Sequence, residues 1–535
     1  MGPYSDKDTS PSLGDGSRPN IIVILNDDMG FSDLGCYGGE INTPNLDRLA
    51  SGGLRFSQFY NTARCCPSRA SLLPGLHPHQ ADVGHMTDDD GIDGYLGDLN
   101  PNTVTIAEAL GAGGYRTYMS GKWHVTRHIS PDGPNHNWPC QRGFDSYYGI
   151  LTGASSYFHP KTLTRNNKRI DTPPGEYYLT DAISDEAVIQ VEQHALDYSG
   201  KPFFQYVAYT APHWPLHAHP EDIENYRGRF DRGWDKLREE RMERLVSEGI
   251  IQSDWQLSPR DQSQTSWGDA EDKAWQVRRM EVYAAQIECM DRGIGRIIEG
   301  LEVTGQLENT LIMFLADNGG CAEELPTMRT TEAVTPDGRV VQMGNDRKVM
   351  PGSELTYQTY GVPWANVSNT PFREYKHLVH EGGIATPFIA HWPQGISDSG
   401  SLRHKPAQLP DIMATCLDIA KVNYPETFRG QVIQPHEGYS LASVFTGGEF
   451  EREVLTWEHE GNRAVRKGRW KLVTKYPGGW ELYDIERDRT ELKDLSSEHP
   501  EVVKELSGLY QHWADRCGVK PWDEILELRK EQGRA

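Results

Sequence analysis

Short apolar runs that end in clusters of polar residues recur along the chain. Four such runs cover residues 21–25, 115–119, 203–209 and 311–315. Nearly continuous apolar strands are typical of a sheet buried on both faces, which favours a parallel α/β arrangement. Ligands bind beyond the carboxyl ends of the strands in such sheets. The polar residues that follow the four runs are therefore expected to meet at one rim of the sheet.

Between these runs lie segments whose apolar residues have helical spacing. The predicted helices cover residues 43–51, 104–112, 181–198 and about 272–304. The longest carries one stripe at alternating spacings of four and three residues, which predicts a single face packed on the core. The stripe consists of Tyr283, Ile287, Met290, Ile294, Ile297 and Leu301.

Two long segments depart from the alternation of strand and helix. Residues 221–273 are highly charged and contain few strand signals, which predicts a helical excursion from the main domain. Residues 327–369 are interrupted by Pro and Gly and are predicted to be a long loop. A loop of that length in a compact domain is usually a functional lid or wall.

The pattern changes again near residue 445. Short alternating stretches around residues 464–466, 469–473 and 480–484 flank a Tyr-Pro-Gly-Gly turn and predict antiparallel strands, and an amphipathic helix is predicted over 501–515. We therefore expect a flexible tail over residues 1–18, a large α/β domain over 19–444 and a small α+β domain over 445–535.

The charge of the chain excludes several classes of partner. Lys and Arg number 54 against 77 Asp and Glu, which gives a formal net charge of −23. Such an acidic chain is a poor general binder of nucleic acids or anionic membranes. No run of 18 apolar residues is present, so no transmembrane helix is predicted.

The polar residues after the first and last runs form an all-oxygen set. Asp27 and Asp28 follow residues 21–25, and Asp317 and Asn318 follow residues 311–315. Three carboxylates at one rim would repel one another, and a hard divalent cation would remove that cost. Carboxylate and amide oxygens suit Ca²⁺ or Mg²⁺ better than Zn²⁺. Alternatively, the same residues start turns and cap helices.

Residues 64–75 form a loop that enters a helix. Pro67 fits the first helical turn, where its missing N–H is harmless. Cys65 would then lie at the helix N-terminus, where backbone N–H groups favour an anionic nucleophile or a bound oxyanion. A helix cap with incidental thiols is the alternative interpretation.

This segment resembles the signature of a known family. Cys65-Cys66-Pro67-Ser68-Arg69 is similar to the C-x-P-S-R motif of the type I sulfatases, with Leu73-Pro74-Gly75 in place of the usual Leu-Thr-Gly. Residues 226–245 resemble the bacterial arylsulfatase branch. The resemblance covers nearly the whole chain after residue 18. Its other matching segments are 19–28, 43–47, 121–124, 211–215, 317–319, Lys376 with 382–383, 468–471 and 481–484.

The resemblance implies a fold and a cofactor. The fold would be that of the alkaline-phosphatase-like superfamily, a large, mixed but mostly parallel sheet sandwiched by helices, followed by the smaller C-terminal domain. Cys65 would be oxidised to formylglycine by a formylglycine-generating enzyme, and its hydrate would attack the sulfur of a sulfate ester. Ca²⁺, or less readily Mg²⁺, would be held by the oxygen set and by residue 65.

The resemblance also assigns roles to basic residues. Arg69 would steady the nucleophile and the cation site. Lys122 would contact the sulfate, and His124 would take the proton that drives sulfate release. His213 and Lys376 would neutralise charge on the leaving oxygen.

The implied function is hydrolysis of a sulfate monoester, with no nucleic-acid partner. A related hydrolase of phosphate or phosphonate esters, and a non-catalytic protein that binds sulfate esters, are the competing interpretations. Small aryl sulfates and sulfated carbohydrates both remain open as substrates. Residues 76–90, 127–158 and 327–369 are predicted to form the pocket walls. His77, His79 and His85 would line the pocket or lie in a surface loop.

The localisation is left open by the sequence. The first residues are polar and lack the apolar stretch of a signal peptide. Calcium is plentiful outside the cytoplasm, and the polar segment resembles a mature N-terminus. A periplasmic or secreted location is therefore favoured over a cytoplasmic one.

Overall fold

The architecture is that of one large mixed sheet between two layers of helices. The computed structural model describes residues 18–173, 175–327 and 334–534. The predicted tail thus lies outside the described residues, apart from Arg18. The strands, in chain order, are β1 Asn20–Asn26, β2 Leu54–Tyr60, β3 Arg116–Lys122, β4 Ser146–Ile150, β5 Leu163–Arg165, β6 Lys168–Arg169, β7 Phe203–Ala208, β8 Thr310–Ala316, β9 Gln342–Met343, β10 Thr356–Tyr357, β11 Ala385–His391, β12 Ser401–Arg403, β13 Ala407–Gln408, β14 Thr427–Phe428, β15 Gln431–Val432, β16 Val454–His459, β17 Asn462–Lys467, β18 Trp470–Thr474 and β19 Glu481–Asp484.

The helices lie mostly between the strands in sequence. They are α1 Pro44–Ser51, α2 Cys65–Leu72, α3 Ile106–Ala112, α4 Leu179–Asp197, α5 Pro220–Glu224, α6 Gly233–Ser247, α7 Lys273–Val303, α8 Gly361–Ser368, α9 Glu381–Ile384, α10 Pro410–Ala420, α11 Ala442–Phe445, α12 Pro500–Cys517 and α13 Trp522–Glu531. Short 3-10 turns cover Gly35–Tyr37, Pro78–Ala81, Pro139–Arg142 and Leu307–Asn309.

The order of strands in the large sheet is β12-β2-β11-β8-β1-β7-β3-β4-β5-β6, and β13 also pairs with β2. Strands β8, β1, β7, β3 and β4 are parallel neighbours, whereas β11 runs antiparallel to both β8 and β2. The registers align the carboxyl ends of β8, β1, β7 and β3. The prediction of a mostly parallel sheet with four polar clusters at one rim is confirmed.

Alternation along β1 explains why the sheet is covered on both faces. Ile22 and Ile24 pack in the hydrophobic cluster that contains α4 and α7. Ile21, Val23 and Leu25 pack in the cluster that contains α2, α3 and α10. Since successive side chains of a strand point to opposite faces, a strand that is apolar throughout must be buried on both.

Most predicted helices agree with the structure within two residues, but the segment 327–369 was predicted wrongly as a loop throughout. It contains α8 and the paired strands β9 and β10, while residues 328–333 lie outside the described residues. Gly361 and Pro363 obscured the helix in the sequence. Pro363 lies in the first turn of α8, where proline is tolerated, and Trp364 is fully buried.

The C-terminal residues form the small antiparallel sheet β16-β17-β18-β19. Strands β17 to β19 and helix α12 match the prediction, whereas β16 and α13 were not predicted. The polar residues Glu458 and His459 of β16 are buried, which removes the usual alternation of a half-buried strand. The domain boundary at residue 445 stays a prediction. Among the described residues, none of the helices has the length and apolar character that crossing a bilayer requires.

A buried ionic cluster joins the small sheet to the large one. Lys471 of β18 lies 2.8 Å from both Glu381 Oε1 and Glu491 Oε1. Arg489 Nε donates to Glu381 Oε2 at 2.7 Å, and the backbone N–H of Glu381 donates to Glu491 Oε2 at 3.0 Å. Burial raises the pKa of Glu381, but Lys471 and Arg489 outweigh it and lower that pKa to about 2. Ion pairs shielded from solvent therefore connect β18 of the small sheet to α9, the helix that leads into β11 of the large sheet.

Candidate active site

The oxygen set predicted from the strand ends is brought together. Asp27 and Asp28 follow β1, Asp317 and Asn318 follow β8, and all four are at most 1% exposed. The backbone N–H of Asp28 donates to Asp317 Oδ1 at 3.2 Å, and Asn318 Nδ2 donates to Asp28 Oδ1 at 2.7 Å. Adjacent parallel strands thus deliver their polar termini to one buried point.

Helix α2 begins at Cys65, as the position of Pro67 predicted, and it is tied to both strand ends. Arg69, one turn further along the helix, donates to Asp317 Oδ2 at 2.8 Å and to the Lys122 carbonyl at 2.9 Å. Ser68 Oγ donates to the Asp317 carbonyl at 2.5 Å. These bonds hold the N-terminus of α2 against the rim of the sheet.

Lys122 and His124 approach the same point from β3. The Lys122 ammonium forms a fully buried ion pair with Asp27. His124 Nδ1 lies 3.5 Å from Cys65 Sγ, and Trp123 points away and donates to the Asn137 carbonyl at 2.7 Å. Strand β3 ends at Lys122, and the backbone of His124 turns away from the extended conformation with φ 53°.

His213 and Lys376 complete the basic side of the site. Lys376 Nζ lies 2.8 Å from Asp28 Oδ2 and 3.4 Å from His213 Nε2. His213 Nδ1 lies 2.6 Å from the Trp214 carbonyl, which can only accept, so Nδ1 carries the proton and Nε2 faces the site. Arg373, a neighbour of Lys376 in sequence, bonds Glu481 and Tyr483 instead.

The oxygen set contains buried oxygen atoms without partners, which fits the binding of a cation. Asp27 Oδ1 and Asn318 Oδ1 are buried and have no hydrogen-bond partner among the described residues. Burial and the charge of Asp27 raise the pKa of Asp317 well above its usual range, although Arg69 opposes them. Unsatisfied buried oxygens beside a destabilised carboxylate suit a hard divalent ion.

The Cys65 thiol and the His124 imidazole both have lowered pKa values, which favours the charged form of the thiol and the neutral form of the imidazole. A hydrogen bond with Cys66 lowers the pKa of Cys65 well below its usual range against the effect of burial, and Lys122 and His124 add to the lowering. Burial lowers the pKa of His124 to about 4, so its imidazole is neutral near pH 7. A thiol with a lowered pKa therefore faces a neutral imidazole.

The other predicted histidines lie elsewhere. His79 Nε2 is 2.8 Å from Glu458 Oε2, and His85 Nε2 is 3.5 Å from the same oxygen. His77 is also buried and stacks edge-on against Trp513. All three are buried and pack against the C-terminal part of the chain, so they do not lie in an exposed surface loop.

Several further polar side chains around this centre were not predicted from the sequence. His377 Nε2 lies 3.0 Å from Glu323 Oε1, and His377 Nδ1 lies 3.1 Å from Glu460 Oε2. Arg64 contacts the His377 ring. The positions of Arg64 and His377 next to Cys65 and Lys376 were available signals. Glu323 and Glu460 carry no such signal, since tertiary structure alone brings them here.

Comparison with known proteins identifies the family. The sulfatase family model matches residues 19–422, and the model of the N-sulphoglucosamine sulphohydrolase C-terminal region matches residues 373–512. An uncharacterized sulfatase of Schizosaccharomyces pombe is 33% identical, with 95% of this chain and 96% of that protein aligned. An arylsulfatase of Klebsiella aerogenes is also 33% identical, with 80% of this chain and 92% of that protein aligned.

Solved structures agree with this assignment. The crystal structure of Ps i-CgsB in complex with k-i-k-neocarrahexaose has a TM-score of 0.65 and 25% identity, and the match covers 93% of each chain. The PsFucS1 sulfatase from Pseudoalteromonas sp. has the same fold, with a TM-score of 0.60, 20% identity and coverage of 92% and 89% of the two chains. The chain belongs to the sulfatase family, in agreement with the bacterial arylsulfatase-like resemblance, and is a sulfuric ester hydrolase.

Proposed function

We propose that this enzyme hydrolyses a sulfate monoester to an alcohol or phenol and inorganic sulfate, using formylglycine formed from Cys65 and a divalent cation. The observation that carries the proposal is the position of Cys65. Its sulfur lies at the N-terminus of α2, beside His124 and within the field of Lys122 and Lys376. Maturation requires a formylglycine-generating enzyme as a partner. When hydrated, formylglycine supplies a hydroxyl nucleophile that a thiol cannot replace.

The other side chains of the site have separate roles in binding, proton transfer, charge stabilisation and positioning. Lys122 balances the charge of Asp27 and offers its ammonium to a bound sulfate. His124, neutral near pH 7, accepts a proton from the group at position 65. His213 and Lys376 stabilise the negative charge that develops on the leaving oxygen. Arg69 is a positioning residue, because its bonds orient Asp317 and the end of β3.

Asp27, Asp28, Asp317 and Asn318, together with the group at position 65, would hold the cation. Ca²⁺ suits these hard oxygen ligands best, and Mg²⁺ suits them less well because it demands near-ideal octahedral geometry. A bound divalent ion supplies Lewis-acid polarisation and lowers the pKa of a coordinated hydroxyl.

A comparison of a sulfate ester with a phosphate diester that has the same leaving group tests the reaction class. The enzyme is expected to release 4-nitrophenol from 4-nitrophenyl sulfate at least about 100-fold faster, in kcat/KM, than from bis(4-nitrophenyl) phosphate, since differences of that size reflect transition-state binding. Equal or reversed rates would favour the phosphodiester hydrolase. Intact-protein mass measures conversion of Cys65, and a fully converted sample without turnover would favour the non-catalytic binding protein.

Removal of the cation is expected to abolish turnover of 4-nitrophenyl sulfate while leaving the fold intact. Asp27, Asp28 and Asp317 are already opposed by Arg69, Lys122 and Lys376, so the folded chain does not depend on added charge. The rate is measured after EDTA treatment and again after addition of Ca²⁺, Mg²⁺ or Zn²⁺, which shows how turnover depends on the cation. Circular dichroism is the control for folding. Restoration by Zn²⁺ but not by Ca²⁺ would contradict the oxygen-ligand argument.

A further inference from the structure

A cluster of side chains that can ligate a metal lies outside the candidate active site. His79 belongs to the 3-10 turn Pro78–Ala81, His85 follows this turn, and Glu458 is in β16. One ligand atom from each of these residues lies within 4.8 Å of the other two. We call the three residues the imidazole cluster. The proposed function uses none of them.

The geometry of the imidazole cluster fits one small ion. Glu458 Oε2 lies 2.8 Å from His79 Nε2 and 3.5 Å from His85 Nε2. Two ligand atoms of a tetrahedral Zn²⁺ site are about 3.3 Å apart, because each lies about 2.0 Å from the ion. The two observed distances bracket this value, so small movements of the side chains are enough to form such a site.

The imidazole cluster is buried and its nitrogens lack partners. The side chains of His79, His85 and Glu458 are only 1–2% exposed. Both ring nitrogens of His85 and Nδ1 of His79 have no hydrogen-bond partner among the described residues. Buried polar atoms without partners are rare in folded proteins and call for an explanation such as a bound ion. A metal ion would occupy one nitrogen of each ring.

The charge of Glu458 favours a cation at the same point. Burial raises the pKa of Glu458, but His85 and His79 outweigh it and hold that pKa below its usual range. Glu458 Oε1 accepts a hydrogen bond from the backbone N–H of Gly461 at 2.7 Å, which fixes the carboxylate and leaves Oε2 facing the imidazoles. Hydrogen bonds of this kind orient the ligands of metal sites.

Aromatic rings hold the two imidazoles in place. The ring of His85 packs edge-on against Trp522, with the ring centres 4.6 Å apart. The ring of His79 packs against Tyr95 in the same way, with the centres 5.5 Å apart. Ligands whose orientation is fixed by packing bind a metal more precisely than ligands on mobile segments.

The donor atoms of the imidazole cluster differ from those of the oxygen set at the centre. Imidazole nitrogens suit Zn²⁺ and its neighbours in the first transition row, whereas Ca²⁺ and Mg²⁺ prefer oxygen ligands. Two histidines and one glutamate are an established ligand combination for Zn²⁺, which then keeps a fourth position for an outer ligand. A cavity of about 290 Å³, bordered by Glu458 and Trp522, offers room for that ligand.

We infer that His79, His85 and Glu458 bind one Zn²⁺ ion, which joins the segment after α2 to the small C-terminal sheet. The two histidines follow α2, whereas Glu458 lies in β16, so the ion would link parts of the chain that are far apart in sequence. Without the ion, His79 Nε2 can donate to Glu458 Oε2, so the chain stays folded but is less stable. The inference is independent of the proposed function.

His85→Gln and Glu458→Gln test this site in the intact chain. Each protein is stripped with EDTA and then kept in excess Ca²⁺, so that the oxygen set is not available to Zn²⁺. Equilibrium dialysis against Zn²⁺ measures the number of bound ions and the dissociation constant, and thermal unfolding is recorded with and without Zn²⁺. The matched control is His136→Gln, which makes the same change in a group of Asp98, His128 and His136, where His136 is 60% exposed.

The wild-type protein and His136→Gln are expected to bind one Zn²⁺ ion tightly. Their unfolding temperature should rise by roughly 2 °C or more at a Zn²⁺ concentration 100 times the dissociation constant, because the ion binds only the folded state. His85→Gln and Glu458→Gln should bind Zn²⁺ at least about 100-fold more weakly, since even the loss of a hydrogen-bond partner of a ligand costs 10- to 100-fold in affinity. Their unfolding temperature should not respond to the same Zn²⁺ concentration.

Each variant is compared with itself in the two conditions, so a lower intrinsic stability of a variant does not obscure the result. Absence of tight Zn²⁺ binding by the wild-type protein would overturn the inference. Unchanged Zn²⁺ binding by His85→Gln would also overturn it, and this variant decides the question if Glu458→Gln does not fold. A loss of tight binding in His136→Gln instead would assign the ion to the exposed group and contradict the buried site.

Discussion

Cys65→Ala is expected to lower turnover of 4-nitrophenyl sulfate by at least about 1,000-fold, since removal of a covalent nucleophile leaves only binding and electrostatic stabilisation. The fold should be unaffected, because alanine fits the helix and the substitution removes only the thiol with its hydrogen bonds to His124 and Cys66. Released 4-nitrophenol measures the rate, and thermal unfolding monitors the fold.

Cys66→Ala is the matched control for this variant. Cys66 is equally buried, and its thiol contacts the His85 carbonyl and the Met86 sulfur. Its hydrogen bond with the Cys65 thiol is lost in any case once position 65 is converted. Its rate should stay within about threefold of wild type once position 65 is converted. Activity of Cys65→Ala above a few per cent of wild type would refute the assignment of the nucleophile.

Lys471→Met is expected to lower the free energy of unfolding by roughly 3–5 kcal/mol, because it leaves buried carboxylates without their shared cation. Glu381 and Glu491 both contact Lys471 Nζ, and none of the three side chains is exposed. Urea unfolding followed by circular dichroism measures the change.

Lys467→Met, at the end of β17, is the control for Lys471→Met. Lys467 also pairs with two glutamates, Glu505 and Glu453, but its pairs lie at the surface. Exposed ion pairs contribute little to stability, so this variant should unfold close to the wild-type midpoint. Equal effects of the two substitutions would show that burial of the cluster does not matter.

The centre of the site was predictable because it depends on local motifs and on the common edge at which parallel strands end. Asp27 and Asp317 end adjacent parallel strands, and an apolar run followed by acidic residues is visible in the sequence. Cys65 and Arg69 belong to one helical turn, whose spacing the sequence contains directly. Such features need no knowledge of distant contacts.

The polar side chains around the centre and the small sheet were less predictable from the sequence, for physical reasons. Glu460 reaches His377 only because a turn of the small sheet packs against the large domain, and no local pattern encodes that contact. Strand β16 buries polar residues inside an ionic and histidine cluster, so its hydropathy lacks the alternation of a half-buried strand. Helix α8 was hidden by a proline that its first turn tolerates.

The balance of charge at the centre bears on when the site can attract an anion. Three carboxylates and three basic side chains pair there. The proposed divalent ion would add two positive charges to this balanced, buried centre and would make it attractive to an anion, despite a chain charge of −23. Strong anion binding would then belong to the metal-loaded form of the enzyme.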